Sequence, residues 1–214
     1  MDSSGTPPTG SGKRERNRIR NRTAILDAAR ACFRDQGYDN TTIRDIVRRT
    51  DLAAGTFYNY FPSKQDIFTA LLSDFLTQLN RSLTQNRRAA GSSADFIHSA
   101  YLALFTATAR DPMVYELAHH NDRALREQFG ADLLGLTMRS LEEDVREAMR
   151  RGLLPELDHG FLCSAFFGVA YEMSLVVARR AHENPGQAAQ EALQATRFST
   201  ALFLGGIPQV SALP

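Results

Sequence analysis

The stretch Thr41-Thr42-Ile43-Arg44-Asp45-Ile46-Val47, followed after a short gap by Ala54-Gly55-Thr56-Phe57-Tyr58-Asn59-Tyr60-Phe61-Pro62-Ser63-Lys64, decides the fold of this 214-residue chain. Thr42 has the side chain of a helix N-cap, and Asp45 stands three residues on, a box-like opening for a helix. Ile43, Ile46 and Val47 supply its buried side. After a tight turn, Phe57 and Phe61 recur at i, i+4 and are expected to point inward from a second short helix, which Pro62 ends. Thr56, Asn59 and Tyr60 share the opposite face, so hydroxyl, amide and phenol groups point outward. The pattern is that of a helix-turn-helix.

The remaining periodicity is helical throughout, with no strand and no internal repeat. Ile25, Leu26, Ala29, Cys32 and Phe33 fall on one face, and Gly37 stands where a helix C-cap belongs. Ser63, with Asp66 three residues on, opens a long helix with the stripe Ile67, Phe68, Leu71, Leu72, Phe75, Leu76, Leu79 and Leu83. Gly91-Ser92-Ser93 breaks it. Further amphipathic helices are expected around Phe96–Phe105, as a short piece after Asp111-Pro112, and from about Asp122 to Arg151, closed by Gly152. The last two differ. Asp158 caps a segment apolar nearly all round, and the final helix after Pro185-Gly186 is rich in small residues. The expected fold is all-α, about nine helices. Its parts are a disordered basic tail (1–16), a helix-turn-helix domain (17–62) and a ligand-binding and dimerisation domain (63–207).

Charge is unevenly distributed. The chain carries net +1, yet residues 1–64 hold 12 Lys/Arg against 7 Asp/Glu while residues 65–214 hold 13 against 17. A basic first third on a mildly acidic body suits contact with a polyanion at one end. Lys13, Arg14, Arg16, Arg18, Arg20 and Arg22 form a basic arm, either a merely charged tail or one that follows phosphates into a flanking groove. Cys32 and Cys163 read as small core residues. Met1–Gly12 lacks the apolar core of a signal peptide, and no apolar run reaches the ~20 residues of a membrane span, so a cytoplasmic protein is expected.

The run Ile25-Leu26-Asp27-Ala28-Ala29 … Phe33 … Gly37-Tyr38 … Thr41-Thr42 … Ile46 … Gly55-Thr56-Phe57-Tyr58-Asn59-Tyr60-Phe61-Pro62-Ser63-Lys64 resembles the amino-terminal domain of TetR-family transcriptional regulators. The resemblance covers residues 19–72. It implies a homodimer whose first three helices bind a pseudo-palindromic double-stranded DNA operator. The remaining helices would bind a small molecule that releases a repressor. One departure is local: many relatives carry a polar or charged residue just before the glycine, where this chain has Ala53 and Ala54.

The DNA-binding residues expected on these grounds are Thr42, Arg44, Ala54, Gly55, Thr56, Tyr58, Asn59, Tyr60 and Lys64. Arg44, Thr56 and Asn59 are the base readers, arginine being able to bond a guanine edge bidentately. Tyr58 and Tyr60 (through their hydroxyls), Thr42 and Lys64 are the phosphate contacts. Small and apolar residues on the last two helices, Ala165, Gly168, Ala192, Phe198, Leu202 and Phe203, are the expected dimer interface. Large apolar residues with few polar neighbours, Leu72, Phe75, Tyr101, Phe105, Tyr115, Phe129, Leu133, Phe166, Phe167 and Tyr171, are the candidate pocket for an apolar or aromatic effector. Glu172 lies inside an apolar helix and would face a partner subunit, solvent or ligand.

No Gly-rich phosphate loop, nucleophile motif or metal-spaced cluster is present, so neither an enzyme nor a cofactor is expected. His119 and His120, with Glu116, Asp122 and His98, read as a polar helix junction, because adjacent histidines diverge by about 100° on a helix. The alternative is a DNA-binding regulator or architectural protein with no small-molecule effector.

Overall fold

The computed structural model describes residues 10–120 and 133–211. These residues form helices α1 (Gly10–Gln36), α2 (Ile43–Arg48), α3 (Ala54–Tyr58), α4 (Lys64–Ala89), α5 (Ser93–Arg110), α6 (Pro112–His120), α7 (Leu133–Arg150), α8 (His159–Glu183) and α9 (Ala188–Ser211), with a 3-10 turn at Pro185–Gln187. No strand occurs among them. The chain divides into two compact units, Met1–Leu71 and Leu72–Pro214.

In the first unit, α1 ends at Gly37, which takes φ +80°, the left-handed conformation that glycine adopts without steric cost. Its N–H donates to the Phe33 carbonyl at 2.9 Å and closes the helix. Ile25, Ala29, Cys32, Phe33, Ile46 and Phe57 are all buried. Tyr38, in the α1–α2 loop, meets Phe33 and Phe68 edge-on, with ring centroids 5.1 and 5.8 Å apart. The Phe68 contact explains why the first turns of α4 belong with this unit, later than the boundary expected at residue 63.

A second difference lies at the other end. Residues 10–16, expected to be disordered, are the first turns of α1. No helix-breaking proline stands between Gly10 and Gln36, and the Arg18 guanidinium makes two 3.0 Å bonds to Glu15 one turn back.

The second unit is a helical layer around an aromatic core. Phe166 of α8 stacks on Phe203 of α9 with centroids 4.2 Å apart, and Tyr101 of α5 stacks on Phe105 at 5.4 Å. α9 runs along α5, and α8 packs against α5, α6, α7 and α9. α7 ends at Gly152, with φ +68°. Helix α8 is long and apolar enough to cross a membrane by length and composition alone, contrary to the sequence expectation. Leu162, Cys163, Phe166, Leu175, Val177 and Ala178 are nevertheless buried within this unit.

Candidate functional site

The helix-turn-helix is held by local polar bonds. Thr42 caps α2: the Asp45 N–H donates to the Thr42 hydroxyl at 3.3 Å, and Asp45 Oδ2 accepts from the Thr42 N–H at 2.9 Å and from its hydroxyl at 2.6 Å. The Thr42 hydroxyl, with the Thr42 N–H behind it, holds the Asp45 carboxyl below the usual carboxylate range. Ser63 and Asp66 repeat the arrangement at the start of α4, at 2.5 and 3.1 Å. Arg49 donates to Asp35 at 2.7 Å and ties the end of α2 to α1.

Phe57 and Phe61 are buried and fix α3 to this scaffold, as their i, i+4 spacing predicts. The face they leave free carries Ala54, Gly55, Thr56, Tyr58 and Asn59, all exposed, with Tyr58 at 53%. Arg44 is also exposed. The result is a five-residue helix with small, hydroxyl and amide groups toward solvent, flanked by a free arginine. Such a surface can enter a major groove and offer both donors and acceptors to base edges.

Within the second unit lies a cavity of about 120 Å³. Its wall is aromatic and aliphatic, from Phe75, Leu79, Leu83, Phe96, Tyr101, Leu104, Tyr115, Leu141, Phe166, Phe167 and Tyr171, among others. Asn86, Ser99 and Asp144 are polar additions. Burial pushes the Tyr101 and Tyr115 hydroxyls well above their ordinary pKa, so both stay neutral. On α8 and α9 a separate set of large apolar residues is exposed: Phe161 at 80%, Phe198 at 61% and Leu202 at 52%, with Val176 and Leu193.

Residues 25–71 match the family model described as bacterial regulatory proteins, tetR family. The chain belongs to the TetR family. It is 28% identical over 164 residues to the transcriptional regulator HbdR of Aromatoleum sp. (strain CIB), covering 72% of this chain and 69% of that one. It is 28% identical over 68 residues to the transcriptional repressor AcnR of Corynebacterium efficiens, covering 32% of this chain and 36% of that one. The chain thus spans between about a third and about two thirds of the length of these curated relatives. Its fold is similar to that of FadR from Bacillus subtilis, solved in complex with stearoyl-CoA, with a TM-score of 0.69 at 19% identity, covering 86% of this chain and 98% of that one. The relatives are regulators of transcription, not enzymes.

Within this TetR-family chain, three residues expected to touch phosphate have their polar groups engaged elsewhere. Lys64 Nζ donates to the Tyr38 carbonyl at 2.7 Å and to that of Asp39 at 3.3 Å, and lies 4.3 Å from the centre of the Tyr38 ring. It clamps α4 to the α1–α2 loop. The Tyr60 hydroxyl accepts from Asn21 Nδ2 at 3.2 Å, and its side chain is half-buried rather than on the free face of α3. Both donors of Thr42 go to Asp45.

Of the pocket candidates, Phe75, Tyr101, Tyr115, Phe166, Phe167 and Tyr171 line the cavity. Leu72 and Phe105 do not: both are fully buried in packed core. Phe129 lies outside the described residues, as does Asp122, and the side chain of Leu133 is outside them too. Among the interface candidates, Ala165, Gly168, Phe198 and Leu202 are exposed. Ala192, 1% exposed, and Phe203, stacked on Phe166, belong to the subunit's own core and leave little surface for a partner. Glu172 is exposed, and Arg180, one of its candidate partners, bonds Glu191 instead at 3.2 Å.

The polar cavity residues were missed, although they leave a signal. Asp144 interrupts the apolar stripe Leu141, Val145, Ala148 of α7, and Asn86 continues the stripe Leu79, Leu83 of α4. A polar residue in register with an apolar face is the trace of a hole in the core.

Proposed function

We propose that the chain is a ligand-responsive DNA-binding transcriptional regulator, a repressor released from its operator by a small apolar or aromatic effector. The observation that carries this reading is the pairing, in one chain, of an exposed polar recognition face with an internal aromatic cavity. Arg44, Thr56 and Asn59 read bases, Tyr58 contacts phosphate, and Ala54 and Gly55 allow close approach. The exposed apolar residues of α8 and α9 pair two subunits, because a helix-turn-helix dimer reads half-sites about 34–36 Å apart and an apolar face of this kind marks an interaction surface. A dimer of this kind works in the cytoplasm.

The cavity supports the effector. Helix α4 begins in the first unit and ends in the second, where Phe75, Leu76, Leu79 and Leu83 line the cavity. A ligand that binds one position of α4 better than another shifts the population of DNA-competent molecules. A related fold that holds stearoyl-CoA gives the size and apolarity of a comparable ligand.

The test has two stages. Purified protein is used to select duplexes from a random pool, and native mass spectrometry identifies any small molecule it carries. Sequence-selective duplexes with two-fold symmetry are expected. Equal affinity for selected and random duplexes would overturn DNA reading, and an operator affinity indifferent to the carried molecule would overturn the effector.

A further inference from the structure

The cavity of the second unit has a hydrogen-bonding bias that its apolar wall conceals. Among the described residues lining it there is no Lys, Arg or His, and Asp144, itself buried, is the acidic one. The other polar groups have hydrogens committed to backbone carbonyls. The Tyr101 hydroxyl donates to Phe166 O at 3.4 Å, and the Tyr115 hydroxyl to Tyr171 O at 2.9 Å. Asn86 Nδ2 donates to Ser99 O at 3.1 Å, and the Ser99 hydroxyl to Phe96 O at 3.3 Å. A hydroxyl that has donated its proton retains acceptor lone pairs, while an amide oxygen and a carboxylate are acceptors. The wall therefore accepts hydrogen bonds far more readily than it gives them.

We propose that the effector is a ring-containing apolar molecule that brings its own hydrogen-bond donors, with a protonated amine as the head group, seated beside Asp144. The inference rests on the effector reading above and narrows its chemistry. The rings supply stacking surface, and their negative faces attract a cation. An acidic head group would meet acceptors and a like charge, with no described cationic side chain to answer it, and a buried charge without a partner is strongly disfavoured. A neutral alcohol can donate one bond and gains no charge pairing, so it falls between the two.

The probes are matched triplets that share a ring system and differ in the head group: phenylbutylamine, phenylbutanol and phenylbutyrate, and the naphthylethyl amine and alcohol with naphthylacetate. Calorimetry on the full-length protein gives each Kd. In the better-fitting triplet the amine is expected to bind at least about 10-fold tighter than the carboxylate, with the alcohol between, as charge-assisted bonds are about twice as strong as neutral ones. Asp144→Asn should bring the amine to the level of the alcohol and leave the alcohol unchanged. The wild-type comparison stands even if that variant folds poorly. A carboxylate that binds tightest, or an amine no tighter than its alcohol, overturns the inference and leaves the effector reading intact. An amine preference that survives Asp144→Asn overturns the placement beside Asp144. No binding by any probe, together with no carried molecule in mass spectrometry, overturns both.

Discussion

The hydrogen bonds that shape the first unit mostly join residues close in sequence, whereas those of the second cross the chain. Thr42 bonds Asp45 and Ser63 bonds Asp66, each three residues away. Tyr101 reaches Phe166 across 65 residues, and Tyr115 reaches Tyr171 across 56. A local bond closes a short loop at low entropic cost and survives changes elsewhere; a distant one exists only once the whole unit has packed. The first unit therefore keeps its recognition face through its own caps, while the second can vary its cavity wherever the aromatic packing permits.

The contrast breaks most sharply at Phe57. It is fully buried, so Phe57→Ala should cost about 3–5 kcal/mol in chemical denaturation. A loss confined to well under that range would mean that the caps alone hold α3. Next is Lys64, a non-local tie inside the local unit. Lys64→Gln should lower stability by about 1.5–3 kcal/mol, the range for hydrogen bonds to a charged group, while the slope of log K against log salt for DNA stays as it was. A slope that falls by about 0.9 would assign Lys64 to a phosphate instead.

Arg44→Ala sharpens the comparison in function rather than stability. Discrimination between operator and random duplex should fall by about 1–3 kcal/mol, with thermal unfolding unchanged. Equal weakening on both duplexes, by fluorescence anisotropy, would remove it from the readers. The smallest effects belong to the cap. Thr42→Ala should cost about 1 kcal/mol. Because Asp45 has a lowered folded pKa, its bond stabilises the fold above the unfolded carboxylate value, about 3.9, and is lost as pH falls through the lower folded value. Asp45→Asn should therefore flatten the acid limb of the stability curve below about pH 4.

The same contrast explains what could be read from the sequence. The capping residues, the inward Phe57 and Phe61, and the C-cap at Gly37 are local patterns, and each stands where the sequence placed it. The misjudged residues of the first unit are largely those with distant partners: Tyr60 meets Asn21 39 residues away, and Lys64 meets Tyr38 26 residues away. In the second unit, apolar spacing located six cavity residues and could not separate them from Leu72 and Phe105. Lining and core residues have the same composition, and only the packing of α5, α8 and α9 decides which side chain borders empty space.

The extension of α1 through residues 10–22 carries a last consequence. Arg14, Arg18 and Arg22 stand at i, i+4 intervals, as do Arg16 and Arg20, so neighbouring turns repel one another. The Glu15–Arg18 pair offsets part of that repulsion. This segment is thus a helix under electrostatic tension, whose winding depends on the ions around it. Added salt should tighten it, seen as slower amide exchange over residues 13–22. A nearby polyanion would do the same, so the segment is most ordered when it lies against one.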